Sequence, residues 1–327
     1  MERKIIFPGK QQVTLENYEL DEVSGTKIRV KTLYSLMSTG TENIVFNRLF
    51  EKGTHWDTWV KYPFTPGYSL IGRVEEIGPD VTTLRPADLV TLRWGHGSGY
   101  VCDESSCTPV PATIDPKQGA WYALAKIAFM GSLAAQYTLG SRVLIVGAGP
   151  VGQMSVRWAA AAGAESIIVC DSAVNRLALA QSGGATGIIG NPVAEAAEIL
   201  DSMEGGVRPD VVIDTTGNEK VFAQSLRLVR TFGRVVILGD TGYPSLQHIT
   251  EDIIDRGVTV VGAHDCHVTE KWNDASIFRL FFKLLESGRI NMGGMISHVF
   301  KPEECENAYQ TANRNRSETM GILFDWN

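Results

Sequence analysis

Three glycines, spaced as Gly147-x-Gly149-x-x-Gly152, lie where an apolar run (142–146) meets a helix-like segment (153–162). Gly147 permits the tight turn out of a strand, Gly149 leaves the backbone open to a phosphate, and Gly152 allows close packing of helix on sheet. The N-terminus of the following helix presents free N–H groups to anions. In this strand-to-helix context the spacing predicts a pyrophosphate-binding turn; the alternative is a turn-rich loop without a ligand.

A second apolar run, residues 166–170, ends in Asp171, nineteen residues beyond Gly152. A carboxylate at about this distance typically accepts hydrogen bonds from an adenosine ribose. It would also repel a 2′-phosphate, so we expect NAD as the cofactor, with NADP less favoured. Arg176 is a nearby cation that could tolerate a 2′-phosphate, so NADP stays an alternative. The predicted cofactor site comprises Gly147, Gly149, Pro150, Val151, Gly152, Asp171, Arg176, Thr216 and Gly239.

The composition narrows the class of protein. A chain of 327 residues suggests two domains, and 44% hydrophobic with 20% charged residues is typical of a globular protein. The net charge of −7 argues against nucleic acid or an anionic membrane as the main partner. No apolar run approaches the roughly 18 residues of a membrane span, and no secretory signal precedes the first strand-like residues. Five scattered cysteines favour a reducing compartment. We therefore expect a cytoplasmic protein with a small-molecule substrate.

The chain divides into two parts that differ in their predicted secondary structure. The first 120 residues hold short β-like runs, including 27–33, 70–77 and 88–92, broken by Gly and Pro. A helix is predicted at 120–137, and strands and helices then alternate in βαβ fashion. The six strand candidates of that part are 143–146, 167–170, 187–189, 211–214, 234–238 and 259–261. A helix at 277–286, with aromatic residues assigned to the core, and short β-like pieces ending at 321–324 complete the chain.

Three motifs carry a family resemblance. The stretch from Ser35 to Glu42, SLMSTGTE, is similar to S-G-I-C-G-T-D of zinc alcohol dehydrogenases. The stretch from Pro66 to Val74, PGYSLIGRV, is similar to P-G-H-E-x-x-G-x-V, and Ala87-Asp88-Leu89-Val90 to G-D-R-V. Over nearly its whole length the chain resembles the medium-chain dehydrogenase/reductase superfamily, and within it the zinc-lacking branch that includes bacteriochlorophyllide hydroxyethyl dehydrogenase. The motifs concern the scaffold, so no tetrapyrrole substrate is implied.

The resemblance implies an α/β fold in which a doubly wound Rossmann parallel sheet is inserted into a GroES-like antiparallel β-domain. Residues 1–122 would form the first part of the catalytic domain, 123–263 the dinucleotide-binding domain, and 264–327 the return to the catalytic domain. It also implies a homodimer, because relatives pair through the sheet edge at 258–261, and an unpaired apolar edge is an aggregation risk.

The same alignment of motifs predicts that catalytic zinc is absent. Ser38 stands where the first cysteine ligand would be and Tyr68 where the histidine would be, while the third ligand falls near Ala123. Neutral hydroxyls are poor zinc ligands, and alanine offers no donor atom. Cys102 and Cys107 are too few for the four-cysteine structural zinc lobe and are assigned as small buried hydrophobes.

Other groups must then handle the proton of a substrate alcohol. The predicted catalytic set is Thr41, Tyr68, His96 and Ser38, with Lys126 as a cation that could assist a phenol. Each has a structural alternative: Tyr68 as a filler of the vacated space, His96 as a turn residue, and Lys126 as a solvent-facing lysine. The segment 264–267, His-Asp-Cys-His, has adjacent residues that point to opposite faces and is not taken as a metal site.

The aromatic segment 46–68 allows two interpretations. It holds six aromatic residues ahead of Tyr68, namely Phe46, Phe50, Trp56, Trp59, Tyr62 and Phe64. These could stack on a bulky or sugar-like substrate at the mouth of the cleft, or they could form the core of the β-domain.

The leading functional hypothesis is a zinc-independent, NAD-dependent oxidoreductase that transfers a hydride between nicotinamide and a secondary alcohol or ketone, with a polyol, sugar-like or bulky substrate. One alternative is an NADPH-dependent quinone or enoyl reductase. The other is a non-catalytic NAD(H)-binding redox sensor, which the loss of the metal ligands would explain.

Overall fold

The structure is a computed structural model that describes residues 1–202, 206 and 208–327. Its strands are β1 (Glu2–Ile6), β2 (Thr14–Tyr18), β3 (Lys27–Met37), β4 (Leu70–Ile77), β5 (Leu89–Leu92), β6 (Gly99–Asp103), β7 (Cys107–Pro109), β8 (Arg142–Val146), β9 (Ser166–Cys170), β10 (Gly187–Ile189), β11 (Val211–Asp214), β12 (Arg234–Ile237), β13 (Thr259–Gly262), β14 (Ile296–Phe300) and β15 (Gly321–Asp325). Its α-helices are α1 (Thr39–Asn47), α2 (His55–Trp59), α3 (Pro116–Gly119), α4 (Tyr122–Ala135), α5 (Pro150–Ala161), α6 (Val174–Ser182), α7 (Ala196–Ser202), α8 (Glu219–Leu228), α9 (Asp252–Asp255), α10 (Asp274–Glu286) and α11 (Cys305–Arg314).

The N-terminal part forms a mostly antiparallel sheet with strand order β14-β15-β3-β4-β5-β7, to which β6 adds by pairing with β3. In β3 the side chains alternate near its start, with Ile28 and Val30 fully buried between more exposed neighbours. This period of two is what a half-buried strand requires. Strand β15 from the C-terminal tail pairs with β3, so the end of the chain returns to the first domain.

The middle of the chain forms a six-stranded parallel sheet with order β10-β9-β8-β11-β12-β13. The chain runs outward from β8 to β10, then returns to the other side of β8 for β11 to β13. The order therefore reverses between β8 and β11, which is the point where doubly wound folds bind ligands at the carboxyl ends of their strands. Strand β13 pairs only with β12 within the described part of this chain.

Helix α4 joins the two domains. Its sequence is rich in Ala and Leu, which are good helix formers, and most of its side chains are buried. It packs against α5 of the parallel sheet and against α10, where Phe281 and Phe282 are fully buried. Helix α10 starts with a capping box between Asn273 and Ser276, which satisfies orphan N–H groups of its first turn. One apolar core around α4 therefore joins the first sheet to α5 and α10.

The predicted GroES-like domain with an inserted Rossmann domain is confirmed, with all six parallel strands in place to within one residue at each end. The aromatic residues of the 277–286 helix are core residues, as expected. None of the helices in the described part of the chain combines the length and hydrophobicity that a bilayer span needs. The boundaries 122/123 and 263/264 stay predictions, and α4 begins at the first of them.

Candidate active site

The glycine-rich turn between β8 and α5 has the geometry that its spacing predicts. Gly147 has φ of +92°, a conformation that favours glycine. A Cβ at Gly152 would lie 1.9 Å from the Gly147 carbonyl oxygen, so the helix approaches the turn as closely as backbone allows. A Cβ at Gly149 would meet only one described atom within 4 Å, Nη1 of Arg176 at 3.9 Å. The space beside Gly149 is therefore open to a ligand.

Gly149 is the N-cap of α5, a position where glycine offers no side chain to the first-turn N–H groups, and Pro150 begins the helix. Val151 packs partly buried against the core beneath. Because these N–H groups carry the positive end of the helix dipole, they suit an anion such as pyrophosphate. The open space at Gly149 and this uncapped helix end fit a dinucleotide.

Asp171 follows β9 directly at the same edge of the sheet. Its carboxylate accepts hydrogen bonds from the backbone N–H groups of Ala148 at 2.7 Å and Ala173 at 2.8 Å. These bonds fix the carboxylate beside the glycine turn. The guanidinium of Arg176 comes within 4.0 Å of it, but it also donates to the carbonyl oxygens of Arg316 and Thr319 in the C-terminal tail.

The loops after β11 and β12 complete this edge. Thr216 donates its hydroxyl to the Asp214 carboxylate at 2.7 Å and its N–H to the same oxygen at 2.9 Å, and its side chain stays exposed. A Cβ at Gly239 would lie 2.3 Å from the Gly217 N, so these two loops touch through backbone. Burial raises the pKa of Asp214 to about 6 against the opposing Thr216 bonds. The predicted cofactor residues therefore lie along the carboxyl edge of the parallel sheet, in or just after the loops that follow β8, β9, β11 and β12.

Three of the four predicted catalytic residues lie together on the N-terminal domain. The Tyr68 hydroxyl donates to Ser38 Oγ at 2.5 Å and lies 3.4 Å from Thr41 Oγ1. Ser38 follows β3 as the N-cap of α1, Thr41 is in the first turn of α1, and Tyr68 precedes β4. Burial raises the pKa of Tyr68, while its bonds to the two hydroxyls and the charge of Arg93 oppose that rise. We call Ser38, Thr41 and Tyr68 the hydroxyl cluster.

The hydroxyl cluster does not fit a catalytic zinc ion. Ser38 and Tyr68 bond each other, Ala123 has no donor atom, and Ser69 donates its hydroxyl to the Ala120 carbonyl at 2.6 Å. Neutral hydroxyls are weak ligands for zinc, which takes thiolate, imidazole or carboxylate. Over residues 1–202, 206 and 208–327, no group of three His, Cys, Asp or Glu side chains is placed to hold a metal.

His96 does not reach the hydroxyl cluster, which corrects its assignment as a base acting on substrate. Its side chain is fully buried, with Nδ1 2.8 Å from Ser35 Oγ and Nε2 3.1 Å from the Glu42 carboxylate. Glu42 also accepts from Tyr309 Oη at 2.5 Å and from the Ser38 N–H at 2.7 Å. His96 therefore supports the start of α1 through Glu42, beneath the cluster.

Lys126 is neither solvent-facing nor beside Tyr68. It is buried, and its Nζ donates to Asp274 at 2.5 Å. The cation that contacts Tyr68 is Arg93, whose Cζ lies 5.3 Å from the Tyr68 ring centroid and whose Nη2 donates to Asp265 at 2.7 Å. Arg93 follows β5 of the first sheet and Asp265 lies in the loop after β13 of the parallel sheet, so this ion pair links loops that follow strands of the two sheets.

Other predicted features are structural. Most of the aromatic segment packs into the β-domain core with Phe46 and Trp56 buried, while Trp59 is half exposed. Cys102 is buried and Cys107 is partly buried, with their sulfur atoms 3.7 Å apart, in keeping with packing residues.

Sequence reasoning missed Arg93, Asp265 and Asp214. Arg93 and Asp214 each stand at the end of an apolar strand, at the edge where sites form in sheet proteins, and this position is a signal that the sequence does contain. The sequence around Asp265 shows only its histidine and cysteine neighbours. Its partner Arg93 lies 172 residues away, so no local signal connects the two.

Comparisons with known proteins agree with this fold. Residues 38–145 match the family model described as alcohol dehydrogenase GroES-like domain, and residues 150–279 match the model described as zinc-binding dehydrogenase. The L-threonine 3-dehydrogenase of Bacillus licheniformis is 27% identical, with 99% of each chain covered. The sorbitol dehydrogenase of Bos taurus is 23% identical over 99% of this chain and 96% of its own.

Among solved structures, a protein from Sinorhizobium meliloti bound to NADP aligns with a TM-score of 0.82 at 21% identity. An alcohol dehydrogenase from Escherichia coli CFT073 complexed with NADH aligns with a TM-score of 0.83 at 18% identity. Each alignment covers 99% of both chains and supports the fold. Two adjoining family models together match most of the chain and relatives match along its whole length, so the chain belongs to the medium-chain dehydrogenase/reductase superfamily.

Proposed function

We propose that this protein is an NAD(H)-dependent oxidoreductase that interconverts a secondary alcohol and a ketone without catalytic zinc. The observation that carries the proposal is the hydroxyl cluster, a hydrogen-bonded set of Ser38, Thr41 and Tyr68 in which Ser38 and Tyr68 stand where zinc relatives would have metal-ligating side chains. The relatives named above as L-threonine 3-dehydrogenase and sorbitol dehydrogenase support the alcohol substrate class.

The cofactor would lie along the carboxyl edge of the parallel sheet. The open backbone at Gly149 and the N-terminus of α5 would hold its pyrophosphate, and Asp171 would accept the ribose hydroxyls. When bound, the nicotinamide supplies or accepts the hydride. The preference for NAD over NADP rests on Asp171, because a second negative charge beside its carboxylate would be repelled.

The chain's own residues would manage the proton on the substrate oxygen. Since burial raises the pKa of Tyr68, its hydroxyl stays protonated near neutral pH and serves as a proton donor when a ketone is reduced. Ser38 and Thr41 hold the phenol in place and stabilise its oxygen by hydrogen bonds. In the oxidation direction the phenol must first lose its proton, so we expect alcohol oxidation to accelerate as pH rises.

The test is reduction of a panel of ketones with NADH, and oxidation of the matching alcohols and polyols with NAD, by wild type, Tyr68→Phe and Tyr62→Phe. Tyr62 is the matched control, because its hydroxyl donates to the Val45 carbonyl at 2.6 Å outside the cluster. We expect Tyr68→Phe to lower kcat by about 100-fold or more, with Tyr62→Phe at the wild-type rate.

Three outcomes would contradict the proposal. Full activity in Tyr68→Phe would remove the phenol from the mechanism. Tight NADH binding without turnover of any substrate would favour a non-catalytic redox sensor. A preference for NADPH of about tenfold, or about 1.4 kcal/mol, would favour a quinone or enoyl reductase. The observation that favours this alternative is the guanidinium of Arg176, which lies 4.0 Å from the Asp171 carboxylate.

A further inference from the structure

Within the residues that the structure describes, the cation close to the Tyr68 phenol is Arg93. The guanidinium carbon of Arg93 lies 5.3 Å from the centre of the Tyr68 ring, and Nη2 of the same guanidinium donates to Asp265 at 2.7 Å. Among the described residues, Nη1 of Arg93 has no hydrogen-bond partner although it is buried. The ion pair fixes the guanidinium against the ring, so its charge acts at a defined place.

The groups that face the Tyr68 hydroxyl come from two segments, the start of α1 and the loop after β5. Ser38 and Thr41 at the start of α1 form hydrogen bonds with it, Arg93 after β5 is positive, and Glu42 in α1 is the acidic group whose charge opposes ionisation. Lys126 is withdrawn into its own ion pair with Asp274. Within the described part of the chain, Arg93 is therefore the cation whose charge acts on a phenolate at this position, and the same guanidinium also acts on the buried phenol of Tyr122 in α4.

We propose that Arg93, held by Asp265, is a positioning residue that stabilises the phenolate form of Tyr68 during proton transfer. The inference rests on the proposed function for its role in turnover. When a ketone is reduced, the O–H bond of Tyr68 would break and its proton would bond to the carbonyl oxygen, which takes the electron pair of the broken C=O π bond as the carbon receives the hydride that a bound nicotinamide would supply. The phenolate left behind lies against the guanidinium until solvent returns a proton. An opposite charge within about 4–6 Å favours the ionised form of a group, so removal of a cation at that distance raises the pKa of an acid by roughly one to three.

Ionisation of Tyr68 can be measured without turnover. Difluorotyrosine, whose phenol is more acidic, replaces the tyrosines of the full-length protein, and the Tyr68 signal in fluorine NMR is assigned from its loss in Tyr68→Phe. The variants are Arg93→Met, Arg93→Gln and Arg93→Lys. Arg93→Gln keeps a hydrogen bond to Asp265, which protects the fold if Arg93→Met fails to fold.

The matched control is Lys117→Met. Lys117 Nζ lies 5.4 Å from the ring centre of Tyr34, the same type of pair away from the hydroxyl cluster. We expect the Tyr68 titration to move upward by about one pH unit or more in the two neutral variants, to return most of the way in Arg93→Lys, and not to move in Lys117→Met. The alkaline fall of ketone reduction should shift in the same direction.

A Tyr68 titration that is the same in wild type and in the folded neutral variants would overturn the inference. If wild type reduces no substrate, the proposed function fails, and the NMR titration still decides whether Arg93 controls the phenol. If wild type is active and Arg93→Gln has both the wild-type titration and the wild-type pH profile, the proposed function stands and this inference fails.

Discussion

Gly149 offers a direct separation of cofactor binding from folding. Its backbone, with φ of −69° and ψ of −176°, is allowed for alanine, and the Cβ would point into open space. Alanine restricts the unfolded chain and so stabilises by about 0.4–1 kcal/mol. It is also a poorer N-cap than glycine by roughly 0.5–1 kcal/mol. The two effects nearly cancel, so we expect the free energy of unfolding of Gly149→Ala to lie within about 1 kcal/mol of wild type.

The same methyl group would occupy the space where a pyrophosphate approaches the backbone. We therefore expect Gly149→Ala to weaken NADH binding by about 30-fold or more, or about 2 kcal/mol. Isothermal titration calorimetry measures the affinity, and urea unfolding followed by tryptophan fluorescence measures the stability.

Gly152→Ala is the control, because this substitution should lower the stability of the fold. Its Cβ would lie 1.9 Å from a carbonyl oxygen of the backbone, which cannot move without shifting the turn. We expect a loss of stability of about 2–3 kcal/mol or more. If Gly149→Ala binds NADH as tightly as wild type, the pyrophosphate does not lie on this turn. If Gly149→Ala lowers the free energy of unfolding as much as Gly152→Ala does, the space beside Gly149 is not open.

Three further predictions concern charges and buried bonds. Asp171→Ala should weaken NADH binding by about tenfold or more and reduce the discrimination against NADPH, both measured by calorimetric titration. An unchanged ratio of NADH to NADPH affinity would remove Asp171 from the ribose site. The folded-state pKa of Asp214 is raised to about 6, so this carboxyl stabilises when protonated, and stability is lost as pH rises from about 4 to about 6. Asp214→Asn should therefore be more stable than wild type by about 1–3 kcal/mol above pH 6, with the gain vanishing near pH 4; an equal gain at both pH values in thermal unfolding would contradict this. Glu42→Gln should lose about 3–5 kcal/mol, because its amide would face the donors of Tyr309 and His96, whereas Tyr309→Phe should lose about 1.5–3 kcal/mol; equal losses in urea unfolding would show that Glu42 has one important partner.

The cofactor edge was the part of the site most accessible to sequence reasoning. The glycines and Asp171 act through local backbone geometry, and their spacing along the chain sets their spacing in the turn. The parallel strands are short β-branched runs that need burial on both faces, and their alternation with helices left little choice of topology.

The hydroxyl cluster was predictable only through resemblance to known motifs. Ser38 and Tyr68 are thirty residues apart, and nothing in their local sequence brings their oxygens to 2.5 Å. Their contact depends on the pairing of β3 with β4, which places the residues flanking these strands side by side.

His96, Lys126 and Arg93 show what local sequence could not supply. The direction of the His96 imidazole depends on Ser35 and Glu42, and the burial of Lys126 depends on α10 bringing Asp274 to it. The cation that contacts Tyr68 is Arg93 rather than the expected Lys126, and the placement of Arg93 depends on Asp265, 172 residues away in the loop after β13.

The claim that side-chain hydroxyls handle the substrate oxygen is tested most directly by metal analysis joined to kinetics. Purified protein is dialysed against a strong chelator, its metal content is measured by mass spectrometry, and NADH-dependent ketone reduction is assayed before and after. We predict an unchanged rate in protein whose transition-metal content is far below one ion per chain. Loss of activity on chelation, with recovery when zinc binds at one ion per chain, would contradict the claim.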